Sequence, residues 1–224
     1  WILMLSNILG KKLFTTIENN MCDLEKESML NSFGGQKSLV NHFKYTPNIF
    51  GITQYIIDNA NCGVQLEDKV LYLGVETDLF SKKVRERLRN IVFIGSLTKR
   101  KKLEEFLQLA QEFPDINFNI IGSGVDRISL KMQATENVTF FGQLNQQELA
   151  YKLNTMDLLF LPSRSEGFPK VILEAAACGI PSIVYSDYGA HEWMGNHQNG
   201  FVVNDFIDVV NIVKKLEDDN KLLS

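Results

Sequence analysis

Short, continuously apolar runs alternate along the chain with segments in which apolar residues recur every three or four positions. In the second half, the runs at 91–94, 116–121, 138–141, 158–161, 182–185 and 201–203 predict strands. Between them Leu103, Phe106, Leu107, Ala110 and Phe113 keep helical spacing until Pro114 ends the pattern. Asn145 with Glu148 reads as a capping box at the head of a helix carrying Leu149, Leu153 and Met156. Ile207, Val210, Val213 and Leu216 stripe a last helix. Strands that are apolar throughout must be covered on both faces, which points to a parallel sheet between helices. The expected fold is therefore α/β, a doubly wound parallel sheet from about residue 90 onward. Such sheets bind ligands beyond the carboxyl ends of their strands, so the strand-to-helix loops are where chemistry is sought. The first ~75 residues show a weaker version, with strands predicted at 13–17, 48–53 and 69–73 and helices before and between them. They read as the tail of a second α/β domain. The stretch GVETDLFS at 74–81, followed by the charged run 82–89, is the expected junction and gives domains 1–76 and 77–224.

Composition narrows the function. With 27 acidic and 23 basic residues the net charge is −4, which argues against a nucleic-acid partner. A hydrophobic share of 45% supplies an ordinary globular core, and no apolar run approaches the roughly 18 residues that span a bilayer. Cys22, Cys62 and Cys178 are scattered and form no CxxC pair, so neither a disulfide framework nor a zinc site is expected and a reducing compartment is the better guess. The opening WILMLSNILG lacks a basic start and a small-residue cleavage site, and reads as a core segment of something that begins earlier. A fragment is expected, its end following closely on a helical pattern.

Four loops follow predicted strands. In the first, Gly95-Ser96-Leu97-Thr98 precedes the four cations Lys99, Arg100, Lys101 and Lys102 at a helix start. Cations there oppose the helix dipole by roughly 0.3–1 kcal/mol each, a conflict that a bound anion would resolve. Neutralisation by Glu104 and Glu105 is the alternative. The second loop, Gly122-Ser123-Gly124, lacks the further glycine of a dinucleotide fingerprint because position 127 is Arg127, and a tight structural turn accounts for it equally well. Phe141-Gly142-Gln143 is a similar turn. The strongest segment is LPSRSEGFPKVILEAAACGIP at 161–181. A buried strand ends at Leu161, Pro169 suits a first helical turn, and Gly179 with Pro181 closes the helix. Glu166 and Glu174 bracket the helix start, where carboxylates suit hydroxyl-rich groups such as ribose and hexose and the free N–H groups suit phosphate. A Glu174–Lys170 pair with a solvated Glu166 is the structural alternative, and the small side chains of 175–178 argue for close helix–sheet packing.

Taken in order, GSLTKRKK, IIGSG, FFGQL, LPSRSEGFPKVILEAAACGIP and YGAHEW resemble the GT-B-fold retaining glycosyltransferases of the group 1 (GT4-like) family, over roughly residues 69–217. The most specific piece is the Glu166–Glu174 spacing, as in that family's E-x7-E pattern. The resemblance implies two Rossmann-like domains, a C-terminal one for a nucleoside-diphosphate-sugar donor and a truncated N-terminal one for the acceptor. By the same resemblance Glu174 holds the donor ribose and Glu166 contacts the transferred sugar. Gly167 and Phe168 form the loop whose amides approach sugar and phosphate, Gly95 and Lys101 belong to the diphosphate loop, and Gln143 and Leu144 line the nucleobase pocket. Ser96 stands where the family usually has arginine, Lys102 where glycine is common, and Pro169-Lys170 where Gly-Leu is frequent.

The implied activity is transfer of a hexosyl group to a saccharide or glycolipid acceptor with retention. No Asp-x-Asp motif lies near the site, so no metal cofactor is called for. Front-side attack, with the leaving phosphate taking the acceptor proton, is what the family implies. The alternatives are a GT-B nucleotide-sugar epimerase, or a degenerate paralogue that binds only a nucleotide sugar or a partner. A cytoplasmic site is expected, with any peripheral contact to the cytosolic membrane face falling to the missing N-terminal part. Among the histidines, His42 and His191 read as ordinary packed or loop residues.

Overall fold

The apolar runs become strands in two separate places. The computed structural model describes residues 8–19, 21–22, 29–81, 84–195 and 199–218. The expected core role of the opening run falls mostly on residues 1–7, and the expected chain end on 219–224, both outside the described residues. Contacts divide the chain into two units, Trp1–Leu73 with Ser165–Phe168, and Gly74–Arg164 with Pro169–Ser224.

In the first unit β1 (Thr15–Ile17) and β2 (Ile49–Gly51) pair in parallel, Thr15 opposite Ile49. Helices α1 (Met29–Ser32) and α2 (Gln36–Phe43) lie between them in sequence, and α3 (Gln54–Asp58) follows. The Thr53 hydroxyl oxygen caps α3 by accepting from the Ile56 N–H at 3.2 Å. Ile17, Leu39, Ile52 and Ile56 are buried in one cluster, with Phe33, Leu73 and Phe168 packed against it. The predicted strand at 69–73 is not one. Glu67 N–H donates to the Ile49 carbonyl at 2.7 Å and Leu71 N–H to the Gly51 carbonyl at 2.9 Å, but no ladder forms, and Tyr72 is 69% exposed. The cysteine expectation is also overturned: Cys22 and Cys62, 40 positions apart, form a disulfide with a Cα separation of 5.3 Å. Spacing could not show it, because the winding of the unit decides which cysteines meet. Cys178 is a buried thiol.

The second unit holds β3 (Asn90–Ile94), β4 (Asn117–Ile121), β5 (Val138–Gly142), β6 (Leu158–Leu161), β7 (Ser182–Tyr185) and β8 (Gly200–Val203). All pairings are parallel, in the order β5-β4-β3-β6-β7-β8. The direction of winding switches between β3 and β6. Helices α4 (Leu103–Glu112), α5 (Arg127–Gln133), α6 (Gln146–Leu153), α7 (Lys170–Ala177) and α8 (Phe206–Asp218) complete the doubly wound arrangement. Strands β6, β7 and β8 are buried along their whole length, as uniform apolarity requires. Phe106 of α4 meets Phe93, Phe118 and Phe160 of three strands at ring separations of 6.1, 5.3 and 6.2 Å. Each such buried ring contributes roughly 1.5–3 kcal/mol.

The α4 stripe is buried as read, and both bonds of the Asn145–Glu148 capping box are present on α6, at 2.8 and 3.0 Å. Helix α5 carried no readable stripe, since only Leu130 of its residues is buried. On α8 the buried residues are Val209, Val213 and Leu216, while Ile207 is 69% exposed. Successive three-residue steps each fall about 60° short of a full turn, so a 207–210–213–216 stripe winds off the core face.

Among the described residues of the junction one charged side chain is buried. Arg85 Nε donates to the Met156 carbonyl at 2.6 Å, and Nη1 donates to those of Cys178 and Gly179 at 2.7 and 3.1 Å. Burial pulls its guanidinium below the usual range, with Asp157 opposing. Hydrogen bonds from a charged donor contribute about 1.5–3 kcal/mol each. Arg85→Met therefore lowers stability by about 2–4 kcal/mol in urea unfolding; a loss below ~0.5 kcal/mol removes this account.

Candidate functional site

At the carboxyl ends of β3 and β4 two backbones are laminated together. Gly95 N–H donates to the Ile121 carbonyl at 3.0 Å, Leu97 N–H to Ser123 at 2.9 Å, and Gly122 N–H to Gly142 at 2.7 Å. A Cβ on Gly122 would sit 1.9 Å from the Gly95 carbonyl oxygen, and one on Gly124 2.2 Å from that of Leu97. The glycines of the second loop are thus required by a neighbouring backbone, which selects the tight-turn alternative.

The basic loop ends in a 3-10 turn, Lys99–Lys101, and Lys102 then adopts a left-handed conformation with φ 47° before α4 starts at Leu103. The cations therefore precede the helix, and its first turn carries Glu104 and Glu105, which the dipole favours. The dipole conflict expected from the sequence is correspondingly smaller. The left-handed backbone at Lys102 is one that glycine adopts without steric cost. A Cβ on Gly95 would lie 3.8 Å from Lys101 Cε, so the lysine stem runs beside the end of β3. After β5, Ser123 Oγ donates to Gln143 Oε1 at 3.5 Å, and Leu144 beyond it is half-buried.

Helix α7 starts at Lys170, with Pro169 one position earlier than read, in the cap position at φ −71° and ψ 110°. No side chain caps it, which leaves its first N–H groups to other acceptors. Ala175 and Cys178 are fully buried and α7 packs on β7, as expected of small residues at 175–178, while Ala176 is exposed and Ala177 half-buried. Glu174 is half-buried. Burial raises its carboxyl above the usual range, and Lys170, four residues before, draws it back.

Ser165–Phe168 group with the first unit. Glu166 is 8% exposed, a Cβ on Gly167 would lie 1.7 Å from the Glu18 carbonyl oxygen, and Phe168 packs against that unit's core. No local pattern announces this grouping. Of the candidate residues, Gly95 and Lys101 come together within the second unit, to which Leu144 and Glu174 also belong, and Glu166, Gly167 and Phe168 come together in the first. His191 is exposed, and the His42 ring lies tilted against Phe33 at 4.6 Å between centres. Among the described residues no three His, Cys, Asp or Glu side chains are grouped as metal ligands would need to be, and no helix is long and apolar enough to cross a membrane. Sequence reasoning passed over Arg164 and Tyr185, which stack at 3.5 Å beyond β6 and at the end of β7, and read Glu105 as a neutraliser of the basic loop, whereas its carboxylate accepts from the Tyr185 hydroxyl.

The family model described as glycosyl transferases group 1 matches residues 75–223. An uncharacterized glycosyltransferase of Haemophilus influenzae is 27% identical over 147 residues, covering 60% of this chain and 41% of that protein. The O-antigen biosynthesis glycosyltransferase WbnH of Escherichia coli is 36% identical over 101 residues, covering 44% of this chain and 29% of its own. The chain thus spans well under half the length of these curated relatives. The crystal structure of Anabaena HepE in complex with UDP-glucose superposes with a TM-score of 0.82 at 18% identity, covering 99% of this chain and 66% of that one.

Proposed function

Because the chain belongs to the glycosyl transferases group 1, we propose that it serves transfer of a hexosyl group from a nucleoside-diphosphate sugar to a saccharide or glycolipid acceptor, with retention of anomeric configuration. Residues 77–224 act as the donor-binding domain, and 1–76 as the carboxyl-terminal part of the acceptor-side domain. The observation that carries this is the β3–β6 switch of the second unit, where a basic turn follows one flanking strand and the segment leading to an uncapped helix follows the other. That is where a doubly wound sheet takes a phosphate-bearing ligand.

In the reaction Lys101 neutralises charge on the departing diphosphate, helped by the free N–H groups of α7. Glu174 accepts hydrogen bonds from the donor ribose, Glu166 takes the hydroxyls of the transferred sugar, and Leu144 lies against the nucleobase. Gly167 and Phe168 carry the backbone beside sugar and phosphate. The leaving phosphate takes the proton of the attacking hydroxyl on the same face of the sugar, so no protein nucleophile and no metal is called for. The HepE complex with UDP-glucose favours a uridine donor, and the E. coli relative's role in O-antigen biosynthesis favours a saccharide acceptor.

Calorimetric titration of the folded chain with UDP-, GDP- and ADP-sugars tests the donor site. Saturable one-to-one binding of one class is expected, weakened by added free nucleotide of the same base. A folded chain that takes up none of the three has no such site.

A further inference from the structure

Helix α4 starts without a side-chain cap: Lys102, left-handed at φ 47° and ψ 45°, offers its first turn no acceptor. A backbone in that region is uncommon for a residue with a side chain, and persists where its surroundings fix it. A glutamate at the third helical position, where Glu105 stands, ordinarily reaches back to the N–H of the cap residue. Glu148 does so on α6, accepting from the Asn145 N–H at 2.8 Å. On α4 the Lys102 N–H donates instead to the Lys99 carbonyl at 3.1 Å, and Glu105 turns to the sheet, where its Oε2 accepts from the Tyr185 hydroxyl. Tyr185 is the last residue of β7 and is wholly buried. Burial, and then the bond to Glu105, push its hydroxyl above the usual phenol range, so it remains a donor at neutral pH.

The phenol is itself fixed. The Arg164 guanidinium carbon lies 3.5 Å from the centre of its ring, and Arg164 Nη1 donates to Asp187 Oδ2 at 3.2 Å and to the Asn204 carbonyl at 2.9 Å. A cation on the ring face draws electron density and makes the phenol a stronger donor to Glu105. From Glu105 a run of backbone bonds leads back into the basic turn. Glu105 N–H donates to the Lys102 carbonyl at 3.1 Å, Lys102 N–H to that of Lys99, and Lys101 N–H to that of Thr98 at 2.9 Å. Lys101 sits inside that run, and all of these residues belong to the second unit. The carboxylate that the sequence offers as a neutraliser of the cations is therefore tied to the sheet, next to the turn that carries them.

We propose that Tyr185 and Glu105 are positioning residues for the donor's diphosphate: the phenol at the end of β7 holds the first turn of α4, and with it the left-handed Lys102 and the place of Lys101 beside the end of β3. This rests on the donor site described under Proposed function, and on its second-unit part alone. Both residues act through the turn and touch no substrate. The two roles open to Glu105 differ in sign. A neutralising carboxylate opposes phosphate binding, so its removal tightens the complex. An anchoring one supports binding, and an amide in its place still accepts from the phenol.

The test titrates the wild type, Tyr185→Phe, Glu105→Ala and Glu105→Gln with UDP by calorimetry and with uridine by ligand-observed NMR (GDP with guanosine, or ADP with adenosine, where the donor titration selects that base). Tyr185→Phe and Glu105→Ala are each expected to weaken UDP roughly tenfold, the scale of one hydrogen bond to a charged group, and to leave uridine within about twofold. Glu105→Gln is expected to stay within about threefold of wild type for both, because the amide keeps the anchor. Tighter UDP binding by Glu105→Ala and Glu105→Gln alike marks a screening carboxylate and overturns the proposal. Equal weakening of UDP and uridine marks a merely structural role and overturns it too, as does no change in either. If one of Tyr185→Phe and Glu105→Ala does not fold, the other reads the same ratio, and Glu105→Gln, which keeps the shape, reads the sign. A wild type that binds none of the nucleoside diphosphates removes the donor site and this proposal with it, an outcome distinct from an unchanged ratio.

Discussion

Gly122→Ala loses the native second unit, with an expected cost of about 4 kcal/mol or more against the roughly 5–15 kcal/mol that holds a typical domain folded. Two independent penalties meet at this position. Its φ of +136° lies where a residue with a side chain is strained. The added methyl would also sit 1.9 Å from the Gly95 carbonyl oxygen and 2.9 Å from its carbon. Neither backbone can retreat cheaply. Gly122 is held by its bond to the Gly142 carbonyl at 2.7 Å, and Gly95 by its bond to Ile121 at 3.0 Å, so relief breaks the lamination that shapes the β3 and β4 loops. Urea and thermal unfolding measure the effect. Gly74→Ala is the control, because a Cβ there meets nothing within 4 Å, and it is expected to stay within about 0.5 kcal/mol of wild type. A Gly122→Ala protein that melts within about 2 °C of wild type shows that the loops are free to part.

This loop shows how far a sequence can be read. Gly122 and Gly124 announce a close approach, but not whether a ligand or a neighbouring strand's loop makes it. That depends on β4 lying beside β3, which no local pattern encodes. Uniform apolarity revealed strands such as β6, β7 and β8 because burial on both faces leaves no alternation to misread, while β5, at the sheet edge, alternates half-buried and exposed residues. The segment at 69–73 has similar composition, yet it makes a single backbone bond to β2, from Leu71, with another from Glu67 just before it, so propensity suggested a ladder where isolated bonds form. Helix α5 was invisible for the opposite reason: it buries one leucine. Among candidate site residues, Gly95 and Lys101 were legible as one loop because they are near neighbours in sequence. The Tyr185–Glu105 bond joins residues 80 positions apart, and the Cys22–Cys62 bridge joins residues 40 apart. Both depend on winding. The strongly basic 82–89 run reads as solvated and concealed Arg85, since a buried cation bonded to carbonyls has the same letter as a solvated one.

Glu174→Gln separates binding from stability, and the two are expected to move in opposite directions. A carboxylate that accepts from ribose hydroxyls makes charge-assisted bonds of about 1.5–3 kcal/mol each, and an amide offers one neutral acceptor in their place. Affinity for the nucleotide sugar therefore falls by roughly 10–100-fold in calorimetry. The fold responds otherwise. Burial raises the Glu174 carboxyl in the native state above its unfolded value. The neutral acid is thus the form the fold prefers: its contribution is complete below the unfolded pKa and is lost as pH rises through the raised folded pKa. At neutral pH the ionised side chain weighs against folding, and glutamine lifts that load. The variant should melt at or above the wild-type temperature at neutral pH, with the gap closing as the solution is acidified through the carboxylate range. A variant that binds like wild type takes Glu174 out of the donor site. One that loses binding and melts lower at neutral pH shows instead that the carboxylate holds α7 in place, with the loss of affinity as its consequence.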